Sequence, residues 1–368
     1  MDEEALPTRR TVIATEPRAG SITSREVAKL AGVSQATVSR VLHAHPGVRP
    51  DVRERVQQVL AQTQYQPNAM ARAMKTSRIG SVGVVVARLS NPLYPALLQV
   101  IGSALARSGL RMVVWDSDHG GEWPAQVALR QGIVDGVLLT TATADSPLLR
   151  EAAGARAPVV LVNRTVDRAA CDQVSSDNVA GGATVARYLL ACGRRRIAMI
   201  GGTGVASTIR DRERGFRLAL EEAGRPLEFV FFEQVDTFSH ETGRAAALRL
   251  LDLARPPDAL FCTNDVIALG AVDGARARGL HVPEDLWVVG YDDIEMASWG
   301  AYDLTTVRQP LEEMVALAVR HLRARMRGDA SPVVRDCLPN GLVIRGSTAC
   351  TPMPAGLCDD LPSTKGEA

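Results

Sequence analysis

No stretch of this 368-residue chain approaches the roughly 18 apolar residues in a row that a membrane-spanning helix needs. The first twenty residues mix acidic and basic side chains and lack the apolar segment of a secretory signal. Neither export nor membrane insertion is expected, and the predicted location is the cytoplasm.

Patterns that carry catalysis or metal binding are also missing. The six cysteines form no C-x-x-C pair and have no histidine at ligand spacing, which disfavours zinc and fits reduced thiols in the cytosol. No Ser/His/Asp set stands out, and Gly201-Gly202-Thr203-Gly204 matches neither phosphate-binding pattern, so it is interpreted as a strand-end turn. No catalytic residue, metal or cofactor is predicted, which disfavours an enzyme.

Charge is unevenly distributed, although the formal net charge is only +1. Residues 21–78 contain nine Lys or Arg against three Asp or Glu, so the remainder of the chain is net negative. A basic segment joined to an acidic body is typical of a DNA-facing module attached to a larger domain.

Helix signals dominate the basic segment. Thr23 and Glu26 fit a capping box, which predicts a helix start, and Gly32 allows a sharp turn after the apolar positions Val27, Leu30 and Ala31. Ser34 is placed to cap a second helix with Val38, Val41 and Leu42 on its buried side. A third helix is expected from Pro50 through Leu60. Periodicity alone leaves open whether the exposed polar face reads DNA or is merely solvated.

Beyond Arg78 the chain alternates short β-branched runs with helical segments, which predicts parallel sheets covered on both faces and enough length for two lobes. The predicted strands are Val82–Val86, Met112–Trp115, Val137–Leu139, Val159–Val162, Ile197–Ile200, Ala259–Cys262 and Trp287–Val289. Ligands of such folds bind at the carboxyl ends of strands. The polar pairs that follow predicted strands are Asn163-Arg164, Asn264-Asp265 and Asp292-Asp293. Each could instead cap the next helix, but their recurrence at one edge favours a binding site.

The N-terminal residues resemble the LacI/GalR family of repressors. The pattern T-x-x-x-V-A-x-x-A-G-V-S-x-x-T-V-S-R-V-L runs from Thr23 to Leu42, and Tyr65 to Lys75 resembles the family's hinge, a short helix that orders in the minor groove of the operator. The resemblance implies base reading by Gln35 and Ala36. Met74 stands at the wedge position where relatives carry leucine, and His43 replaces the usual asparagine. The predicted DNA-binding residues are Thr23, Ser34, Gln35, Ala36, Thr37, Ser39, Arg40, Tyr65, Asn68, Ala71, Arg72 and Met74.

The remaining chain resembles the same family through Asn91-Pro92-Leu93-Tyr94, Arg212-Glu213-Arg214-Gly215-Phe216, Gly290-Tyr291-Asp292-Asp293 and Leu304-Thr305-Thr306-Val307. By this resemblance Arg212, Asn264 and Asp292 bond effector hydroxyls and Phe238 stacks on the ligand, although ordinary core packing of Phe238 stays open. Tyr302-Asp303 replaces a pair of prolines, which predicts a reshaped rim. The predicted effector-binding residues are Asn91, Tyr94, Asn163, Arg164, Arg212, Phe238, Asn264 and Asp292.

These expectations combine into one architecture. It has a disordered extension at 1–20, a three-helix helix-turn-helix domain at 21–66, a hinge helix at 67–78, an α/β core of two Rossmann-like, periplasmic-binding-protein-like lobes at 79–350 and a disordered tail at 351–368. The tail lacks heptads, so a homodimer is expected. The predicted function is an allosteric repressor that binds a palindromic operator and a small polar effector, with a sugar as the first expectation. A periplasmic-type sugar-binding protein without a regulatory role is the alternative.

Overall fold

The computed structural model describes residues 22–42, 44–65, 78–118, 121–152 and 157–348. The chain divides into two compact units, Met1–Ser77 and Arg78–Ala368. Each unit has its own apolar core.

Three short helices form the first unit: α1 (Ser24–Leu30), α2 (Gln35–Leu42) and α3 (Pro50–Gln62). The capping box is confirmed, because the Thr23 side chain accepts from the backbone N–H of Glu26 and the Glu26 carboxylate accepts from that of Thr23. Gly32 lies in the left-handed region at φ +64°, which ends the first helix sharply. Ser34 Oγ accepts from the Thr37 backbone N–H at 3.1 Å and so caps α2 as expected.

The core of this unit differs from the expected stripe at two positions. Val27, Ala28, Ala31, Val38, Val41, Val48 and Val56 are its buried members. Leu42 is 37% exposed, so the prediction that it is buried was wrong, and Leu30, one of the apolar positions of α1, is 60% exposed. In α1 the packed face centres on Val27, Ala28 and Ala31, and Leu30 lies at its margin.

The first lobe of the second unit is a six-stranded parallel sheet in the order β11-β5-β4-β3-β1-β2. Its strands are β1 (Ser81–Val86), β2 (Arg111–Asp116), β3 (Gly136–Leu139), β4 (Val159–Val162), β5 (Asp172–Ser176) and β11 (Arg335–Leu338). Its helices are α4 (Leu93–Arg107), α5 (Trp123–Arg130), α6 (Pro147–Ala152) and α11 (Leu311–Met326).

The second lobe has a four-stranded parallel sheet in the order β7-β6-β8-β9. Its strands are β6 (Ile197–Gly202), β7 (Phe232–Val235), β8 (Ala259–Cys262) and β9 (Trp287–Val289). Its helices are α7 (Asn178–Ala191), α8 (Ser207–Glu222), α9 (His240–Leu251) and α10 (Asp265–Ala277). A separate antiparallel pair joins β10 (Thr306–Arg308) to β12 (Gly341–Val343).

The chain passes between the lobes at three places: after β5, between β10 and α11, and between β11 and β12. Two of these passages are hydrogen-bonded to each other, because Ser176 Oγ donates to Gln309 Oε1 at 2.8 Å. Gln309 Nε2 in turn donates to Asp292 Oδ1 at 2.8 Å. Hydrogen bonds therefore connect these two passages to Asp292, a polar residue that follows β9.

The predicted two-lobed parallel α/β fold is confirmed, and all seven predicted strands are present to within two residues. Gly201 and Gly202, however, are the last two residues of β6 and not a turn, because β6 keeps its pairing with β7 through Gly202. Sequence reasoning also missed β5, β7, β10, β11 and β12. None of the described helices is long and apolar enough to cross a membrane. Among the described cysteines, Cys171, Cys262 and Cys337 are free thiols and Cys192 is disulfide-bonded, so the expectation of reduced thiols does not hold for Cys192.

Candidate functional site

α2 and its capping residue Ser34 carry half of the residues predicted to bind DNA. Ser34, Gln35, Ala36, Ser39 and Arg40 are exposed, and Thr37 is half-buried. Gln35 Nε2 donates to Ser24 Oγ at 2.7 Å, which fixes its amide beside the start of α1. The helix therefore presents amide, hydroxyl and guanidinium groups, the donors and acceptors that recognise base edges in a major groove.

Two further residues predicted to contact DNA have structural roles. Thr23 caps α1, and Tyr65 is half-buried against the three-helix core. The hinge predictions Asn68, Ala71, Arg72 and Met74, together with the departure at His43, lie outside the described residues.

In the second unit, all eight residues predicted to bind effector line one cavity between the lobes that is open to solvent. Their effector-binding role stays a prediction. The remaining lining residues are Arg88, Leu93, Ala206, Thr208 and Ile209. Sequence reasoning missed these five, although Arg88 follows β1 closely and Thr208 lies in the first turn of α8, the helix after β6. The strand-end rule applied to the other positions could have found both. Tyr302 is not among the lining residues, so the expected change at the rim lies away from this cavity.

Arg212 lies at the centre of the polar network. From α8, its Nε donates to Asn178 Oδ1 at 2.8 Å and its Nη1 to the Thr263 carbonyl at 2.7 Å. Its Nη2 lies 2.8 Å from Asp292 Oδ1, and its guanidinium stacks 3.7 Å from the centre of the Tyr291 ring. A guanidinium has five N–H donors, and these three contacts use three of them.

Close helix packing places Arg212 at this point. A Cβ on Gly182 of α7 would lie 2.1 Å from the Arg212 carbonyl oxygen, and a Cβ on Gly215 of α8 would lie 1.9 Å from that of Val179. Only glycine permits this approach at both positions. The two helices therefore cross near enough for Arg212 to reach Asn178 at the start of α7.

Asp292 is buried and sits at φ +115°, an unusual conformation for a residue with a side chain. Burial raises the pKa of Asp292 although the adjacent Arg212 cation opposes the shift. Behind it Asp265 is fully buried and accepts from Thr306 Oγ1 at 2.6 Å and from the Ile294 backbone N–H at 2.9 Å. Burial, together with the negative charge of Asp292, holds the pKa of Asp265 well above its usual range.

Across the cavity, Asn163 and Arg164 follow β4 and carry unpaired polar atoms. Asn163 Oδ1 and Arg164 Nε are buried and have no hydrogen-bond partner in the described part of the chain. Arg164 otherwise donates to the Thr141 carbonyl at 3.1 Å and to the Tyr94 hydroxyl at 3.2 Å. An unsatisfied buried polar atom costs about 1–3 kcal/mol, so these two atoms mark a place where a ligand would complete the bonding.

Asn264 and Phe238 combine structural and lining roles. Asn264 Oδ1 caps α10 by accepting from the Ile267 N–H at 2.9 Å, which leaves its amide group for the cavity. Phe238 packs against the core and also lines the cavity, and a Cβ on Gly202 would lie only 2.2 Å from its ring. On the other lobe, the Arg88 guanidinium lies 5.0 Å from the centre of that ring. The two interpretations of Phe238 are therefore compatible.

Taken together, the cavity offers unpaired donors and acceptors from both lobes beside one aromatic ring. This chemistry suits a small ligand rich in hydroxyl groups. No group of His, Cys, Asp or Glu among the described residues is arranged to hold a metal ion.

Each of the two units contains a region that matches a known protein family. A model described as "Bacterial regulatory proteins, lacI family" matches residues 23–68, and one described as "Periplasmic binding protein-like domain" matches residues 186–348. The HTH-type transcriptional regulator DegA of Bacillus subtilis (strain 168) is 35% identical over 329 residues, covering 88% of this chain and 97% of that protein.

Two solved structures are similar over nearly their whole length. The complex of the transcriptional regulator CelR with cellobiose has 33% identity and a TM-score of 0.69, covering 89% of this chain and 99% of that one. The Lac repressor dimer bound to operator and the anti-inducer ONPF has 26% identity and a TM-score of 0.79, with the same coverage.

Proposed function

We propose that this member of the lacI family of bacterial regulatory proteins acts as a cytoplasmic homodimer that binds a palindromic operator under effector control. The chain is a DNA-binding transcriptional regulator and not an enzyme. The alternative of a sugar-binding protein without a regulatory role is disfavoured, because the similarity to regulators begins within the N-terminal helices. The predicted DNA-contacting residues are those of the exposed α2 face and of the hinge.

The observation that carries the proposal is the convergence of eight predicted residues on one cavity in which buried polar atoms lack partners. A polar ligand there would complete the bonds of Asn163 and Arg164 on one lobe and of Arg212 on the other. It would thus stabilise one arrangement of the lobes over others, which is the differential interaction that allosteric control needs. CelR is bound to cellobiose in its structure, and this supports a sugar or sugar derivative as the effector class.

The bonds among the interlobe passages supply a route for this coupling. Asp292 lines the cavity and bonds Gln309, and Gln309 bonds Ser176, so ligand contact at Asp292 acts directly on two of the passages. Thr165 of the first lobe also donates its backbone N–H to Ser207 Oγ of the second at 2.9 Å. A change in lobe closure must break or remake such bonds.

Selection from a library of random duplexes with the full-length protein tests the DNA-binding proposal. We expect enrichment of a two-fold symmetric site, with affinity that falls as salt rises, because Lys and Arg contacts to phosphate release counterions. Arg40→Gln should relax the preference for particular bases, whereas Arg55→Gln on α3 should leave base preference unchanged. Failure to enrich any symmetric site would contradict the proposal.

A further inference from the structure

The charges that line the effector cavity do not balance. Three arginines, Arg88, Arg164 and Arg212, face it together with a single carboxylate, that of Asp292. Arg212 and Asp292 form an ion pair at 2.8 Å whose side chains are only 3% and 2% exposed, so they compensate each other. Two cations remain without a carboxylate partner among the described residues.

Arg164 is the more deeply buried of these two, with 8% of its surface exposed. Both described groups that it bonds are neutral, the Thr141 carbonyl and the Tyr94 hydroxyl, and its Nε has no partner within the described ranges. A charge removed from water without an opposite charge is unfavourable, which is why buried charges in proteins are normally paired. The position of Arg164 on a cavity wall implies that its counter-charge arrives with the ligand.

Arg88 reaches the same cavity from the residues that follow β1. Its backbone adopts φ +56°, held by its own N–H to Asp118 Oδ2 and by the Asn91 N–H, which donates to the Arg88 carbonyl at 2.8 Å. The Asp118 carboxylate is thus used by the backbone, and Asp118 does not line the cavity. The guanidinium lies over the face of Phe238, and none of the hydrogen bonds between described side chains involves it.

Asp265, a further buried carboxylate on the Asp292 side, does not restore the balance. It lies behind Asp292 and outside the lining, and both of its oxygens accept hydrogen bonds from protein groups. Asp265 therefore lies on the second lobe with Arg212, whereas Arg88 and Arg164 lie on the first lobe and are not neutralised by it.

We propose that the effector is an anion: a sugar derivative that carries one carboxylate or phosphate group directed at Arg88 and Arg164, with hydroxyl groups facing Arg212, Asn264 and Asp292. This proposal rests on the proposed function and narrows its effector class. Carboxylate and phosphate share the oxygen geometry that a guanidinium binds with two parallel hydrogen bonds.

Calorimetric titration of the full-length protein with matched sugars tests the proposal. In the gluco, galacto and manno series we would compare the neutral aldose, its uronate and its 6-phosphate at two salt concentrations. We expect one anion to bind about tenfold or more tighter than its neutral counterpart, with affinity that falls as salt rises. The uronate and phosphate arms distinguish the two sources of charge. A neutral sugar that binds as tightly as its anions, or the absence of anion binding up to about 10 mM, would overturn the proposal.

Variants locate the effect in the cavity. Arg88→Gln should lose about tenfold in affinity for the preferred anion, and Arg88→Lys should retain most of it, because a cation remains. Arg107→Gln, which removes an exposed arginine from α4 on the same lobe, should bind the anion like the wild type. Equal losses in Arg88→Gln and Arg107→Gln would also overturn the proposal. Operator selection with and without the preferred anion tests the proposed function separately, so the two failures are distinguishable.

Discussion

The Arg212–Asp292 pair makes a quantitative prediction, because both side chains are almost fully buried and each neutralises the other. Arg212→Met leaves Asp292 as a buried carboxylate whose remaining bond is to Gln309, and Asp292→Asn leaves Arg212 as a buried cation without its counter-charge. Removing one partner of a buried ion pair typically costs about 3–5 kcal/mol of unfolding free energy. We expect each single variant to fall in that range.

The double variant separates the charge pairing from other losses. If the cost of each single variant comes from the charge left behind, Arg212→Met with Asp292→Asn removes both charges and should cost no more than about the larger single variant. The interaction energy from the double-mutant cycle should then be at least about 2 kcal/mol. Arg210→Met is the matched control on α8, because Arg210 forms a surface pair with Asp211 and should change stability by less than about 1 kcal/mol.

Urea unfolding followed by tryptophan fluorescence measures these changes in the second unit alone. All four tryptophans of the chain, Trp115, Trp123, Trp287 and Trp299, lie in the unit that contains the pair. Additivity of the two single variants to within about 0.5 kcal/mol would refute the reasoning that charge pairing holds these residues. A loss in Arg210→Met equal to that in Arg212→Met would assign the effect to the helix and not to the ion pair.

Three other predictions follow from the packing, the electrostatics and the hinge. Gly215→Ala should lower the free energy of unfolding by about 3 kcal/mol or more in the same urea assay, because its Cβ would lie 1.9 Å from the Val179 carbonyl oxygen. Gly204→Ala is the control: its Cβ would meet open space, so the free energy of unfolding should not change. Burial raises the pKa of Asp265, so the folded state holds the Asp265 proton more tightly than the unfolded state does. Proton binding therefore stabilises the folded state at low pH, and this contribution is lost as pH rises above about 4 through the folded pKa. Unfolding at pH 5 and pH 8 should therefore show the wild type losing more stability than Asp265→Asn, and equal losses would contradict this cause. Met74→Ala should weaken binding to the selected operator more than binding to random DNA in a fluorescence titration, because an apolar wedge acts only on the kinked site, and equal losses would refute the wedge.

Most of the local structure could be predicted from the sequence. The Thr23–Glu26 capping box, the turn at Gly32 and the start of α3 at Pro50 all depend on residues within a few positions of each other. Continuous apolar runs likewise marked the central strands. The strand-end rule selected Asn163, Arg164, Asn264 and Asp292, because parallel strands end at one edge of a sheet. The family resemblance supplied the other four predicted residues, and all eight line one cavity.

The missed strands show what local pattern leaves out. β5 is Asp-Gln-Val-Ser-Ser, fully buried yet mostly polar, and it reads as a loop. Its first residue is stabilised by Arg325 on α11, which donates to both oxygens of Asp172 at 2.7 and 2.8 Å. A partner 153 positions away is invisible to any pattern of neighbouring residues.

The sequence by itself determined where helices and central strands begin and which polar residues end the strands, because caps, turns and apolar periodicity act over one or two turns of chain. Only the tertiary structure decided that Arg212 is neutralised by Asp292, while Arg88 and Arg164 find no carboxylate partner among the residues that the structure describes. Pairing of buried charges depends on which groups meet when separate elements pack, and it is this meeting that sets the charge of the cavity.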